Sequence, residues 1–318
     1  MFRWGTEFAQ SSFEADVNRP GLAGRTPVWA RVIPFFLSAL FFGSVVFSVF
    51  SPLPLLFLHL RSGRKWAWFA LLTNGALVLL TLGYPALIGY LFTAALGLCI
   101  PEFLNRRFTI ERSAVLTLSA MASSLILIFL IYRLAFHVDL IQELARLSSE
   151  SFDQMNRLAP SVSNGASPEE IAEMKRKTLV LLPSGFAVMA LSLVWANLVI
   201  LIKASPIALK ERLGIESVLV KRWKAPEFLV WPTIVSGFFL VVNVPVVSDI
   251  ALNVFVFLMA IYGIQGLSIL GFLFDIWGVK GALRMIGYSI SVFLMHPLVL
   301  SLGFFDLWFD FRSKFRQS

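Results

Sequence analysis

The chain has 318 residues, 58% of them hydrophobic and 14% charged, with a formal net charge of +8 and a mean hydropathy of +0.79. That much apolar surface exceeds what one water-soluble core can hide, so lipid must be the solvent for most of it and an ordinary soluble domain is excluded. The basic residues are scattered among short segments between apolar blocks, where anionic headgroups and the positive-inside rule account for them; nucleic acid is not an expected partner.

The apolar residues come in unbroken blocks of about the ~20 residues needed to cross a hydrocarbon core. The fold class is therefore all-α, a polytopic transmembrane helical bundle of about eight spans. No strand-like alternation marks an outer-membrane barrel. The single cysteine, Cys99, lies inside an apolar block and reads as a packing residue. Residues 1–28 form a polar N-terminal segment with no apolar stretch followed by a cleavage site, so no cleavable signal peptide is expected. A single transmembrane domain over 29–305 and an interfacial tail over 306–318 complete the organisation.

The first apolar block, from about 32 through 60, is broken at Ser51-Pro52-Leu53-Pro54, because each proline removes a backbone donor and clashes with the preceding turn. A helix to about Phe50 and a short helix after it are predicted, and whether the second is re-entrant stays open. Two spans, 66–82 and 84–100, form a hairpin joined at Gly83-Tyr84-Pro85. Arg61, Arg64 and Lys65 precede it and Arg106, Arg107 and Arg112 follow it, which assigns both of its ends to the cytoplasm.

A fourth span over 113–136 opens onto a polar insertion over 137–177, expected to be extracytoplasmic. Within it Leu140, Leu144, Leu147, Met155 and Leu158 recur among charged residues at near-heptad spacing, the pattern of an amphipathic helix lying on the membrane or the bundle. Ser167 is the expected N-cap of a second helix beginning PEEIAEMKRK. A fifth span over 178–202 leads into the densest basic loop, 203–227, assigned to the cytoplasm. The sixth, seventh and eighth spans cover 228–247, 250–277 and 285–305. The side of the membrane taken by each terminus stays open.

Ionisable residues inside spans are costly and mark function when present; here almost none are found. HExxH, GxSxG and GxxxxGK[ST] are all absent from the sequence, and the three histidines, His59, His137 and His296, are far apart. No enzyme activity, cofactor or metal is expected, and any ATP-driven step would need a partner. Pro297 should break the eighth span by leaving the carbonyl of Phe293 without its donor.

The seventh span carries the richest polar content. At about 100° per residue, Gln265, Ser268 and Asp275 fall within about 80° of one another, with Tyr262 at the edge of the same stripe. Gly263, Gly266 and Gly271 would allow close approach of a backbone or a ligand. Asn243 and Pro245 in the sixth span, Asn253 in the seventh, Asn74 in the second and Asn197 beside Trp195 in the fifth could converge with that stripe on a pocket; Trp231 joins them as a candidate contact. Such an amide-and-aromatic pocket suits a small neutral or zwitterionic solute. Interhelical hydrogen bonding in a packed bundle is the alternative account of the same residues.

The run Pro52-Leu53-Pro54-Leu55 with Arg61-Ser62-Gly63-Arg64, the segments LLPSGFAVMALSLVWANLVIL and APEFLVWPTIVSGF, the run from Ala260 through Ser268 and the ending LGFFDLWFDFR together resemble the YybS-like family of bacterial multi-pass membrane proteins. That resemblance implies a distant similarity to the substrate-binding subunits of energy-coupling-factor transporters. In those subunits a small-xxx-small face on the first helix docks onto a membrane protein partner. Ala39 and Gly43 would form that face here. The expected role is capture or transport of a small solute within the bacterial inner membrane, with a non-transporting scaffold or assembly factor as the alternative.

Overall fold

The computed structural model describes residues 28–44, 46–135, 137, 139–158, 167–215, 219–242, 244 and 246–315. In chain order the helices are α1 (Val28–Gly43), α2 (Pro52–Ser62), α3 (Arg64–Leu82), α4 (Tyr84–Asn105), α5 (Ile110–Ala135), α6 (Leu140–Leu158), α7 (Pro168–Val180), α8 (Leu182–Ala204), α9 (Ile207–Leu213), α10 (Leu219–Arg222), α11 (Val230–Val242), α12 (Val247–Ile276), α13 (Gly281–Phe293), α14 (His296–Phe309) and α15 (Phe311–Lys314). Single 3-10 turns precede α2 and α11. No strand occurs among the described residues.

Among the described residues, five helices, α3, α4, α5, α8 and α12, are long and apolar enough to cross a bilayer, and six if α13 and α14 are taken as one bent span. The eight expected spans are not reached because three of the sequence blocks do not form full-length helices. The first stops at Gly43, the sixth is only Glu227–Val242 with its 3-10 turn included, and the eighth is bent by 90° between α13 and α14. At a 1.5 Å rise α12, with its 30 residues, is about 45 Å long, well beyond a ~30 Å hydrocarbon core.

Local chemistry explains the breaks. Gly83 has φ +83 and its amide donates to Leu79 O at 3.1 Å, closing α3, while Pro85 opens α4. Phe293 ends α13, and Pro297 sits in the first turn of α14, where its missing N–H is harmless. The expected cap at Ser167 is a full capping box: its Oγ accepts from Glu170 N at 3.2 Å, and the Glu170 carboxylate accepts from Ser167 N at 2.7 Å.

Helix α2 is nested inside the bundle, packed against α1, α3, α4 and α8. Leu55, Leu56, Leu58, His59 and Leu60 are all buried. Gly97 of α4 makes room for it, since a Cβ there would lie 2.8 Å from Pro52 O and 2.9 Å from Leu55 Cβ. A buried helix start carries orphan N–H groups, and Pro52 and Pro54 remove two of them. The carbonyls just before the helix are satisfied from outside it. Ser38 Oγ donates to Ser51 O at 2.7 Å and Asn197 Nδ2 to Val49 O at 2.9 Å.

Helices α12 and α14 approach backbone to backbone. A Cβ on Gly303 would overlap Tyr262 O, and one on Gly266 would overlap Val299 O. Both ends of the α13–α14 pair return to one stretch of chain. Asp275, which pairs with Arg284 of α13 at 2.6 Å, also takes Lys221. At the far end Asp310 pairs with Lys224 at 3.1 Å, and Arg312 donates to Arg222 O at 3.2 Å and Trp223 O at 2.9 Å.

Helices α6 and α7 are linked by Lys175 to Asp153 at 2.7 Å. Arg176 ties α7 to Asp249 at the start of α12 at 3.0 Å. On α6, Arg146 lies between Glu143 and Glu150, and Leu144 and Leu147 are exposed.

Candidate binding groove

The polar residues expected to converge on a pocket are found in separate places. Asn74, fully buried on α3, lies beside Tyr90, whose hydroxyl is 3.2 Å from Ser38 Oγ. Asn197 reaches the turn before α2. Asn253 accepts from Ser184 N at 2.9 Å and donates to Val180 O at 2.8 Å, so it clamps the start of α8, about 18 Å along α12 from Gln265 at 1.5 Å per residue. Trp231 is 68% exposed on α11, away from the others. Asn243 and Pro245 lie outside the described residues.

The stripe on α12 faces inward as expected, but its partners are other parts of the chain. Gln265 Oε1 accepts from Ala225 N at 2.8 Å, and Gln265 Nε2 donates to Asp306 Oδ2 at 2.9 Å. The other Asp306 oxygen accepts from Phe311 N at 3.0 Å. Ser268 Oγ accepts from Arg312 at 3.4 Å. Tyr262 packs edge-on against Phe304 with ring centroids 5.1 Å apart. Asp306 and Arg312 are buried, and both were read from the sequence only as part of an interfacial tail. Their signal was charge within an otherwise apolar ending, LGFFDLWFDFR.

The expected docking face on α1 is also corrected. Ala39 is buried in a cluster with Leu55, Leu58, Ala70 and Tyr90, so it packs the first helix onto its own bundle. Gly43 is exposed and near the end of α3, where a Cβ would meet Leu82 at 3.9 Å.

The open space lies elsewhere, in a groove of about 880 Å³ between α5, α8 and α12. That is within the ~300–1,000 Å³ range of ligand pockets. Its walls are Ile110, Ala114, Leu118, Ala122 and Ile126 of α5, Pro183, Phe186, Ala187, Ala190, Val194 and Ile202 of α8, and Phe257, Ile261 and Ile264 of α12. Ala114, Leu118 and Ala122 recur every four residues and Ala187, Ala190 and Val194 every three or four, so each helix turns small or branched side chains to one face. This alanine periodicity is the sequence signal that could have found the groove. Val115 and Ile126 on the α5 wall are 60% and 61% exposed, so the groove opens on the flank of the bundle. From Ile110 to Ile126 it follows α5 for about 24 Å at 1.5 Å per residue, most of a ~30 Å hydrocarbon core.

One mouth of the groove is built by the stretch after α10. Trp223, Lys224, Pro226 and Phe228 line it there, together with Glu111 at the start of α5. This stretch is held by the residues around Asp306: Gln265 holds Ala225 N, Arg312 holds Trp223 O, and Asp310 holds Lys224. Gln265 and Ser268 are thus positioning residues for the mouth rather than lining residues. The hydrogen bond from Lys224 holds the Asp310 carboxyl below the usual carboxylate range. Among the described residues no group of three or more His, Cys, Asp or Glu side chains is placed to hold a metal ion.

Described residues that are helical without strands, with five to six apolar spans and an apolar groove open on the flank, define a multi-pass membrane protein. The chain belongs to the predicted membrane protein family DUF2232, which matches it over residues 32–307. No curated protein matches it, and no solved structure does.

Proposed function

We propose that this protein captures a long-chain amphiphile in the groove between α5, α8 and α12, as a non-enzymatic binding or transport component of the bacterial inner membrane. The observation that carries the reading is the groove itself. It is apolar along its length, and the charged residues lining it, Glu111 and Lys224, both belong to its mouth. A small neutral solute, the occupant first expected, would desolvate its polar groups there without compensation. An amphiphile instead leaves its head at the mouth and buries its chain.

The positive-inside rule puts the mouth on the cytoplasmic side, because the dense basic loop 203–227 forms it. The α13–α14 pair, both of whose ends meet the stretch 221–225, then enters and leaves through that face as a V and carries the end of α15 to the cytoplasm. The α6–α7 hairpin takes the outer side.

The test is native mass spectrometry of the full chain extracted in mild detergent. Wild type should retain one lipid-sized adduct per chain, and Ala187→Trp, which fills the groove, should lose it while keeping its helical content and monodispersity. An adduct kept equally by Ala187→Trp, or no adduct on wild type, overturns the reading.

A second reading, a non-transporting scaffold, is favoured by one observation: Gln265, Ser268 and Asn253 are engaged inside the protein, while Leu144 and Leu147 of α6 are exposed. Replacing the segment 137–177 should then abolish function in cells while lipid retention stays intact. Survival of function after that replacement would remove the scaffold.

A further inference from the structure

Resting on the reading of the groove as an amphiphile site, we propose that its mouth selects a zwitterionic phospholipid head, with Lys224 taking the phosphate and Glu111 the ammonium. The two side chains carry opposite charges and line one mouth of a groove whose remaining walls are nearly all apolar. A head carrying both signs matches this arrangement.

The two residues are prepared differently. Glu111 stands in the first turn of α5, where the helix macrodipole stabilises a carboxylate. It is exposed and makes no ion pair among the described residues, so its charge is available to a ligand. An ammonium has three donors. Lys224 gives one to Asp310 at 3.1 Å and keeps the others for phosphate oxygens. Asp310 also fixes where the ammonium points, and it is anchored at φ +39 between α14 and α15. Trp223 lines the same mouth, and tryptophan is the side chain enriched at headgroup depth, where an amphipathic indole belongs.

The alternatives leave Glu111 unanswered, whereas Lys224 keeps Asp310 in every case. A net-anionic head satisfies Lys224 but faces Glu111 with nothing to offer it. A headless diacylglycerol fills the groove and meets neither side chain.

The experiment is a competition on the delipidated full chain. Equimolar phosphatidylethanolamine, phosphatidylglycerol and diacylglycerol with identical chains are offered, and bound adducts are read by native mass spectrometry. Wild type should hold phosphatidylethanolamine about tenfold over phosphatidylglycerol, the ratio that one additional charge-assisted contact supports. Glu111→Lys, at an exposed position with no ion pair among the described residues, should reverse that preference. Lys224→Met should bring both phospholipids down to the level of diacylglycerol. Equal retention of the two phospholipids by wild type, or an unchanged ratio in Glu111→Lys, overturns the proposal. Retention of all three without preference overturns head selection alone, whereas retention of none overturns the capture reading with it.

Discussion

The two sides of this bundle treat the same apolar side chains in opposite ways. Around α2 the chain packs to contact: Leu55 and Leu56 are fully buried, and Gly97 admits the backbone of Pro52. Between α5, α8 and α12, alanines of α5 and α8 line a groove of about 880 Å³. Both regions are built from residues of similar hydropathy, so composition does not decide which closes. What decides is whether small residues meet a neighbouring backbone, as Gly97 meets α2, or line a groove. In a bilayer, where lipid competes with protein for every apolar surface, a small residue left without a backbone opposite it becomes a place for a chain to lie.

The comparison is broken most severely at the tight contact of α12 with α14. Gly303→Leu forces a side chain into Tyr262 O and should cost at least the ~3 kcal/mol at the upper end of overpacking effects, read as loss of the monodisperse peak or a large fall in melting temperature in detergent. Next comes Asp306→Ala, which strands Gln265 Nε2 and Phe311 N. About 1–3 kcal/mol is expected for each buried donor left unpaired, and lipid retention should fall as well because the 223–225 stretch loosens. A melting curve like that of wild type would show that the residues around Asp306 do not hold the mouth.

A smaller effect belongs to Asp310. Its folded-state acidity is raised by the hydrogen bond from Lys224, so the stability it contributes is present above its unfolded pKa of about 3.9 and is lost as pH falls through the lower folded value. The melting temperatures of wild type and Asp310→Asn should differ slightly at neutral pH and converge in acid. A gap that persists at low pH would assign the effect to something other than this carboxylate. The smallest expected effect is Trp231→Ala, within about 0.5 kcal/mol for an exposed side chain away from special features. A loss of lipid retention in that variant would move the site to the far flank of α11.

The elements legible in the sequence were those written in local backbone chemistry. Pro52 and Pro54, Gly83, Ser167 and Pro297 each mark a helix limit that the structure realises, because the constraint resides in the residue itself. The inward-facing stripe of Gln265 and Ser268 was legible too, as a consequence of the 100° turn per residue. What these polar atoms meet was not, since Ala225 and Asp306 lie about forty residues away on either side, and an interhelical clamp and a ligand contact draw on the same side chains. Ala39 shows the same ambiguity for small residues: their spacing reports that something comes close and leaves open whether it is another protein or the next turn of the same chain. The groove is harder still, because it is a relation among three helices and no single segment encodes it.

The buried start of α2 bears on how the protein is made. Its neighbours emerge later in synthesis: Thr93, which accepts from Ser51 Oγ at 3.3 Å, lies on α4, and Asn197, which holds Val49 O, lies on α8. Until Asn197 arrives, the turn before α2 exposes the Val49 carbonyl, which hydrocarbon cannot satisfy. The nascent segment must therefore wait at the water boundary while roughly 150 further residues are inserted, and then move inward. Biogenesis of this protein accordingly includes a late step, in which a segment translated near the beginning takes its place after most of the bundle around it has been laid down.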